Sequence, residues 1–113
     1  MPSVLVRPQN AIICLQGHLN AAGASDLQEQ LTMAVLSDAN AMLLVDMSGV
    51  ESLDSAGLMA LVSALTLAQT LNKRFSLCAV SPAIRIIFEL TQLDRVFEIF
   101  ESASMFDLPG AQA

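Results

Sequence analysis

The sequence contains no tryptophan and no tyrosine, a single histidine, His18, and two isolated cysteines, Cys14 and Cys78. So few nitrogen and sulfur donors offer no spacing at which Cys and His would hold a metal. A G-x-G-x-x-G loop and a Lys-Ser/Thr phosphate cradle are also missing, so no nucleotide or other cofactor is expected. Cations are scarce. Five basic residues, Arg7, Lys73, Arg74, Arg85 and Arg95, stand against 11 acidic ones and leave a formal net charge of −6. They form no basic cluster, which argues against nucleic acid and against an anionic membrane surface as partners, since both are bound through Lys and Arg patches.

The first residues, Met1-Pro2-Ser3-Val4-Leu5, lack the basic region and long apolar core of a secretory signal, and a cytoplasmic location is expected. In that compartment Cys14 and Cys78, both inside apolar runs, read as reduced core thiols.

What the sequence has in abundance is apolar surface. Of its 113 residues, 54% are hydrophobic and 14% charged, which suits one domain, residues 1–113, with one core. A surface so poor in charge often belongs to a protein that docks to others. From Ser55 to Asn72 no residue is charged. Ser63, Thr66, Gln69 and Thr70 interrupt that stretch, which favours a largely buried helix over a membrane span.

The residues that organise the chain are Leu53-Asp54-Ser55-Ala56-Gly57-Leu58. Before them, Ala41 to Met47 is a continuous apolar run of the kind expected for a strand buried on both faces. After them, Leu58, Leu61, Val62, Leu65, Ala68 and Leu71 recur at helical spacing. Ser55 therefore falls at a helix N-terminus, beside backbone N–H groups that lack helical acceptors, and such a position suits a phosphate.

Elsewhere, Val4–Val6 and Ala11–Gln16 read as a hairpin turned at Pro8-Gln9-Asn10, followed by a loop over Gly17–Gly23. Ser25 is placed to cap a helix with stripe Leu27, Leu31, Ala34 and Val35, which Ser37-Asp38-Ala39-Asn40 ends. Ser48–Ser52 reads as a turn, and Asn72-Lys73-Arg74 as a positively charged close to the central helix. The strand Phe75–Val80 leads to a helix capped by Ser81-Pro82, with Ile84, Ile87, Phe88 and Thr91 turned inward. A short strand, Val96–Phe100, precedes an amphipathic tail from Glu101 to Leu108. Alternating strands and helices after a hairpin give an α/β fold with a mixed sheet.

Enzymatic readings lack parts. A serine hydrolase elbow needs glycine where Leu53 stands, and His18 would be its only base. A phosphate-accepting Asp46 would need an acidic pair and a late lysine, whereas the sole lysine is Lys73. Asp46 is expected to end a strand or form a turn. The expectation is a non-enzymatic binding module.

Leu53-Asp54-Ser55-Ala56-Gly57-Leu58 resembles the D-S-[S/T/A]-G-[L/I] motif of the STAS domains, and specifically of bacterial anti-sigma factor antagonists. Cys78-Ala79-Val80-Ser81-Pro82-Ala83, with Phe88 after it, resembles the C-A-x-S-P-A segment of the same family. The resemblance implies a STAS fold with a central mixed sheet of four or five strands and helices mainly on one side. It implies phosphorylation of Ser55 by a partner serine kinase of GHKL type, itself the anti-sigma factor, with a PP2C-type phosphatase resetting the switch. Unphosphorylated, the antagonist would bind that kinase and free a sigma factor, regulating transcription. An accessory subunit of a lipid-transport or other partner-switching system is the alternative.

The partner-binding residues so implied are Asn20, Asp54, Ser55, Ala56, Gly57 and Met59. Gly17-His18-Leu19-Asn20 departs from the family's G-x-L-D: Asn20 keeps a hydrogen-bonding side chain without the charge. Gly57 is expected where a partner backbone comes close, and Met59, off the apolar stripe, as a pliable docking contact.

Overall fold

A computed structural model of the chain describes residues 9–37 and 40–101. Four strands, β1 (Gln9–Leu19), β2 (Asn40–Leu53), β3 (Arg74–Cys78) and β4 (Glu98–Phe100), alternate with three helices, α1 (Ala24–Leu36), α2 (Ser55–Thr70) and α3 (Pro82–Leu90). The strands form one sheet in the order β1-β2-β3-β4, and every described pairing is parallel. Parallel neighbours joined in sequence by right-handed crossovers place their helices on the same face. Accordingly Leu27 and Leu31 of α1, Leu61 and Leu65 of α2, and Ile84 and Phe88 of α3 share one core with Leu43, Val45 and Leu77 of the sheet.

The expected antiparallel component rested on Val4–Val6, which lies outside the described residues, as do Pro8, most of Glu101–Leu108 and part of the Ser37–Asn40 stop. Gln9 and Asn10, expected in a turn, belong to β1. Two further turns are also strand. β1 continues through Gly17 and His18 to Leu19, and β2 through Ser48–Ser52 to Leu53, with Gly17 opposite Val50 and Leu19 opposite Leu53. Turn residues were outweighed here by pairing between segments remote in sequence, and the mismatch is absorbed as register shifts at Cys14/Gln16 and Gly17/His18.

Ser25 does not cap α1. The helix begins two residues earlier than a Ser25 cap would place it, with Gly23 at the N-cap and no side-chain cap, because Asn20 already builds the entry turn: its side-chain oxygen accepts from Ala22 N at 3.1 Å and its carbonyl from Gly23 N at 3.1 Å. Ser81 does cap α3, accepting from Ile84 N at 3.4 Å, with Pro82 at the first turn. Thr91 is exposed, its hydroxyl donating to the Ile87 carbonyl at 2.8 Å.

The two basic residues expected to close α2 act elsewhere. The Lys73 ammonium donates to the carbonyls of Val35 at 2.6 Å and Ser37 at 2.8 Å, so its charge meets the C-terminal end of α1 rather than of α2. Arg74 opens β3 and grips Glu98 of β4 with two bonds, Nε to Oε1 at 2.6 Å and Nη2 to Oε2 at 2.9 Å. Cys14 is exposed on the sheet face away from the helices, its Sγ 4.0 Å from an Asp46 oxygen, and is not a core thiol. Cys78 is buried, and that burial, with the Asp46 carboxylate as a lesser cause, pushes its thiol up to about 11.

The paired Arg74 side chain holds the Glu98 carboxyl below its ordinary value of 4.5, helped by a hydrogen bond from the buried Ser76 hydroxyl and opposed by partial burial. A carboxyl with a lowered native pKa stabilises the fold above its unfolded value and loses that contribution as pH falls through the native one. Glu98→Gln is therefore expected to be less stable than the parent at neutral pH, by under about 1 kcal/mol because the pair is partly solvated. In urea unfolding curves taken at descending pH, the gap should close below about 4.5; a gap that is constant with pH would contradict this.

Candidate functional site

The extension of β1 and β2 beyond β3 ends at Leu19 and Leu53, and α2 starts from that end. Asp54 makes the junction. Its N–H donates to the Leu19 carbonyl at 3.0 Å. Its Oδ1 accepts from Gly57 N at 3.0 Å, capping the helix, and its Oδ2 accepts from Ala21 N at 3.2 Å, holding the entry turn of α1. One carboxylate thus ties the ends of two strands to the starts of two helices.

Gly57 is the second constraint. It is buried in the first turn of α2, where the chain passes directly over β1. A Cβ built there would overlap the Leu19 carbonyl oxygen and lie 2.8 Å from its carbon and 2.9 Å from Leu19 Cβ. Backbone does approach Gly57 closely, as its glycine suggested, but it is the chain's own Leu19. Side-chain volume is excluded here by packing, which corrects the view of Gly57 as a surface kept clear for a partner.

Between these two fixed points Ser55 is exposed as the first residue of α2, with Ala56 half-buried behind it. Met59, one turn on, is 57% exposed. Asn20 is half-buried, with its side chain engaged in the turn that Asp54 holds. The six residues named from sequence therefore converge on one end of the molecule. Ser55 and Met59 face solvent, Asp54 and Asn20 are held by backbone donors, and Gly57 is internal.

Sequence reasoning did not find the His18–Ser52 pair, 2.6 Å apart across β1 and β2. The hydroxyl that the histidine meets is that of Ser52, not Ser55. This contact depends on the β1–β2 register, which no local motif announces. Among the described residues no group of His, Cys, Asp and Glu could hold a metal ion, and no helix is long and apolar enough to cross a membrane.

These features define a small α/β domain with an exposed serine at a helix start that Asp54 caps. The chain belongs to the STAS domain family, whose model matches residues 1–104. BtrV of Bordetella bronchiseptica, provisionally named an anti-sigma factor antagonist, is 26% identical over 91 residues, covering 80% of this chain and 78% of BtrV. An anti-sigma factor antagonist from Mycobacterium paratuberculosis superposes with a TM-score of 0.72 at 28% identity, over 82% of this chain and 78% of its own. The antagonist SpoIIAA in its unphosphorylated form gives a TM-score of 0.70 at 15% identity over 96% and 94% of the two chains. Its phosphorylated form gives 0.67 at 17% over 88% and 89%. A sulfate transporter family protein from Wolinella succinogenes gives 0.76 at 17% over 91% and 84%. The SpoIIAA and Wolinella likenesses speak to the fold alone.

Because Asp54 caps α2 and also holds Ala21, Asp54→Ala is expected to lower stability by about 1–3 kcal/mol. Asp54→Asn, which retains an acceptor for Gly57 N, should lose less than half as much. Urea denaturation of the two variants beside the parent checks this; equal losses would show that the side-chain bonds do not matter.

Proposed function

We propose that the protein is an anti-sigma factor antagonist whose affinity for its partner is set by phosphorylation of Ser55. The observation that carries this reading is the exposed Ser55 on a helix start held from both sides by Asp54 and Gly57. The family membership and the BtrV and Mycobacterium relatives support it. The partner is an anti-sigma factor that is also a serine kinase of GHKL type, a PP2C-type phosphatase reverses the modification, and the exchange takes place in the cytoplasm within a single domain of residues 1–113. On this reading the chain binds and is modified; it catalyses nothing itself.

The switch works by charge rather than by refolding. A phosphoserine brings about −1.5 to −2 charges near neutral pH. At the start of α2 the helix dipole offsets part of this, by roughly 0.3–1 kcal/mol, and the fold survives. In an interface the same charge must be desolvated beside the Asp54 carboxylate, which two backbone donors keep from swinging away. An unpaired buried charge costs several kcal/mol, and about 1.4 kcal/mol is tenfold in affinity. Release by two or more decades follows. Met59 and Ala56 supply the apolar part of the contact.

A second reading, a STAS accessory unit of a transport system, draws on the fold shared with the Wolinella protein. Intact-mass analysis of protein from native cells separates the two. A species heavier by one phosphate that disappears in Ser55→Ala, together with kinase binding that the phosphate weakens at least about a hundredfold, is expected. Absence of phosphate in all growth conditions would overturn the switch and favour the scaffold.

A further inference from the structure

β2 outlasts its neighbour. β3 ends at Cys78, whose partner is Asp46, whereas β2 runs on from Met47 to Leu53. Beyond Asp46 it pairs with β1 alone among the described residues. At about 3.3 Å per residue, roughly 23 Å of one β2 edge borders the lane that β3 vacates. The chain leaves that lane at Ala79, which adopts a left-handed φ of 56° before turning into α3. Ser48, Gly49, Glu51 and Ser52 are exposed along the edge, while Val50 and Leu53 point into the core. The Ser48 N–H is already taken by the Asp46 carboxylate at 2.9 Å; edge groups beyond it that β1 does not bond are a template for an added strand.

The charge around the edge selects its occupant. Between Arg7 and Lys73 the sequence has no Lys or Arg, yet it has six carboxylates, Asp26, Glu29, Asp38, Asp46, Glu51 and Asp54. Asp46, Glu51 and Asp54 mark the start, middle and end of the edge. A second copy of this chain would set acidic edge against acidic edge, and like charges across strands repel. We propose that the β2 edge from Ser48 to Leu53 binds a short extended segment of a partner protein rich in Lys and Arg, by strand addition. The two register shifts beyond Asp46 increase the local twist of β2. They limit the added strand to a few residues and so favour a peptide segment over a continuing sheet.

This contact is separate from the Ser55 switch. A phosphate on Ser55 would enlarge the same negative field, so the basic segment should bind the phosphorylated form as well or better, opposite in sign to the switch partner. The test uses the full-length protein, ¹⁵N-labelled, titrated with acetylated and amidated Lys-Val-Lys-Val-Lys-Val and with the same peptide N-methylated at alternate residues. N-methylation removes backbone donors while keeping charge and side chains. Expected are saturable shifts and slowed exchange at the amides of Ser48–Leu53, with at least about tenfold weaker binding of the methylated peptide. Glu51→Gln should weaken the unmethylated peptide by a fewfold. Equal binding of the two peptides, shifts confined to Asp26 and Glu29 of α1, or no binding at all would each overturn the proposal, and none of them bears on whether Ser55 is phosphorylated.

Discussion

The contact between Gly57 and the Leu19 carbonyl is the constraint from which the rest of the site follows. It lets the first turn of α2 sit directly on the end of β1, with no side chain between them. The same carbonyl accepts from Asp54 N, and the Asp54 carboxylate then reaches both Gly57 N and Ala21 N. Glycine inside a helix costs about 1 kcal/mol against alanine. That cost is tolerated because close packing fixes the direction in which α2 leaves the sheet. Ser55 needs no contact of its own to be positioned; its neighbours on both sides are held.

A site arranged in this way suits modification by charge. The sheet extension carries Ser55 past the ends of β3 and β4, and the elements bearing it contain carboxylates but no Lys or Arg. Two of the positive residues lie toward the other end of the strands: Lys73 closes on α1, and Arg74 closes on Glu98. The Lys73 and Arg74 contacts are thus kept apart from the head of α2.

Much of this was legible in the sequence because it was written locally. Helical spacing from Leu58 to Ala68, the Ser81-Pro82 cap and the apolar run at Leu43–Val45 specify their elements through side chains close to one another in the chain. The placement of Ser55 at the head of α2 was legible for the same reason. What could not be read were consequences of register. Gly17–Leu19 and Ser48–Ser52 carry turn-forming residues but are paired strands. Lys73 looks like a C-terminal charge for its own helix and serves another. Cys14 sits in an apolar run yet is exposed on the sheet face away from the helices. Gly57 announced a close approach without saying whose backbone approaches, since Leu19 is remote in sequence and adjacent only once β1 and β2 pair.

The most direct measurement is the unfolding free energy of Gly57→Ala. A methyl group overlapping a backbone carbonyl costs roughly 1–3 kcal/mol or more, while the better helix propensity of alanine returns about 1 kcal/mol. If Gly57 is the point at which α2 is held on β1, the variant loses stability overall or fails to fold. A variant as stable as the parent, or more so, would mean that this turn is free to move and that the rigid presentation of Ser55 has another origin.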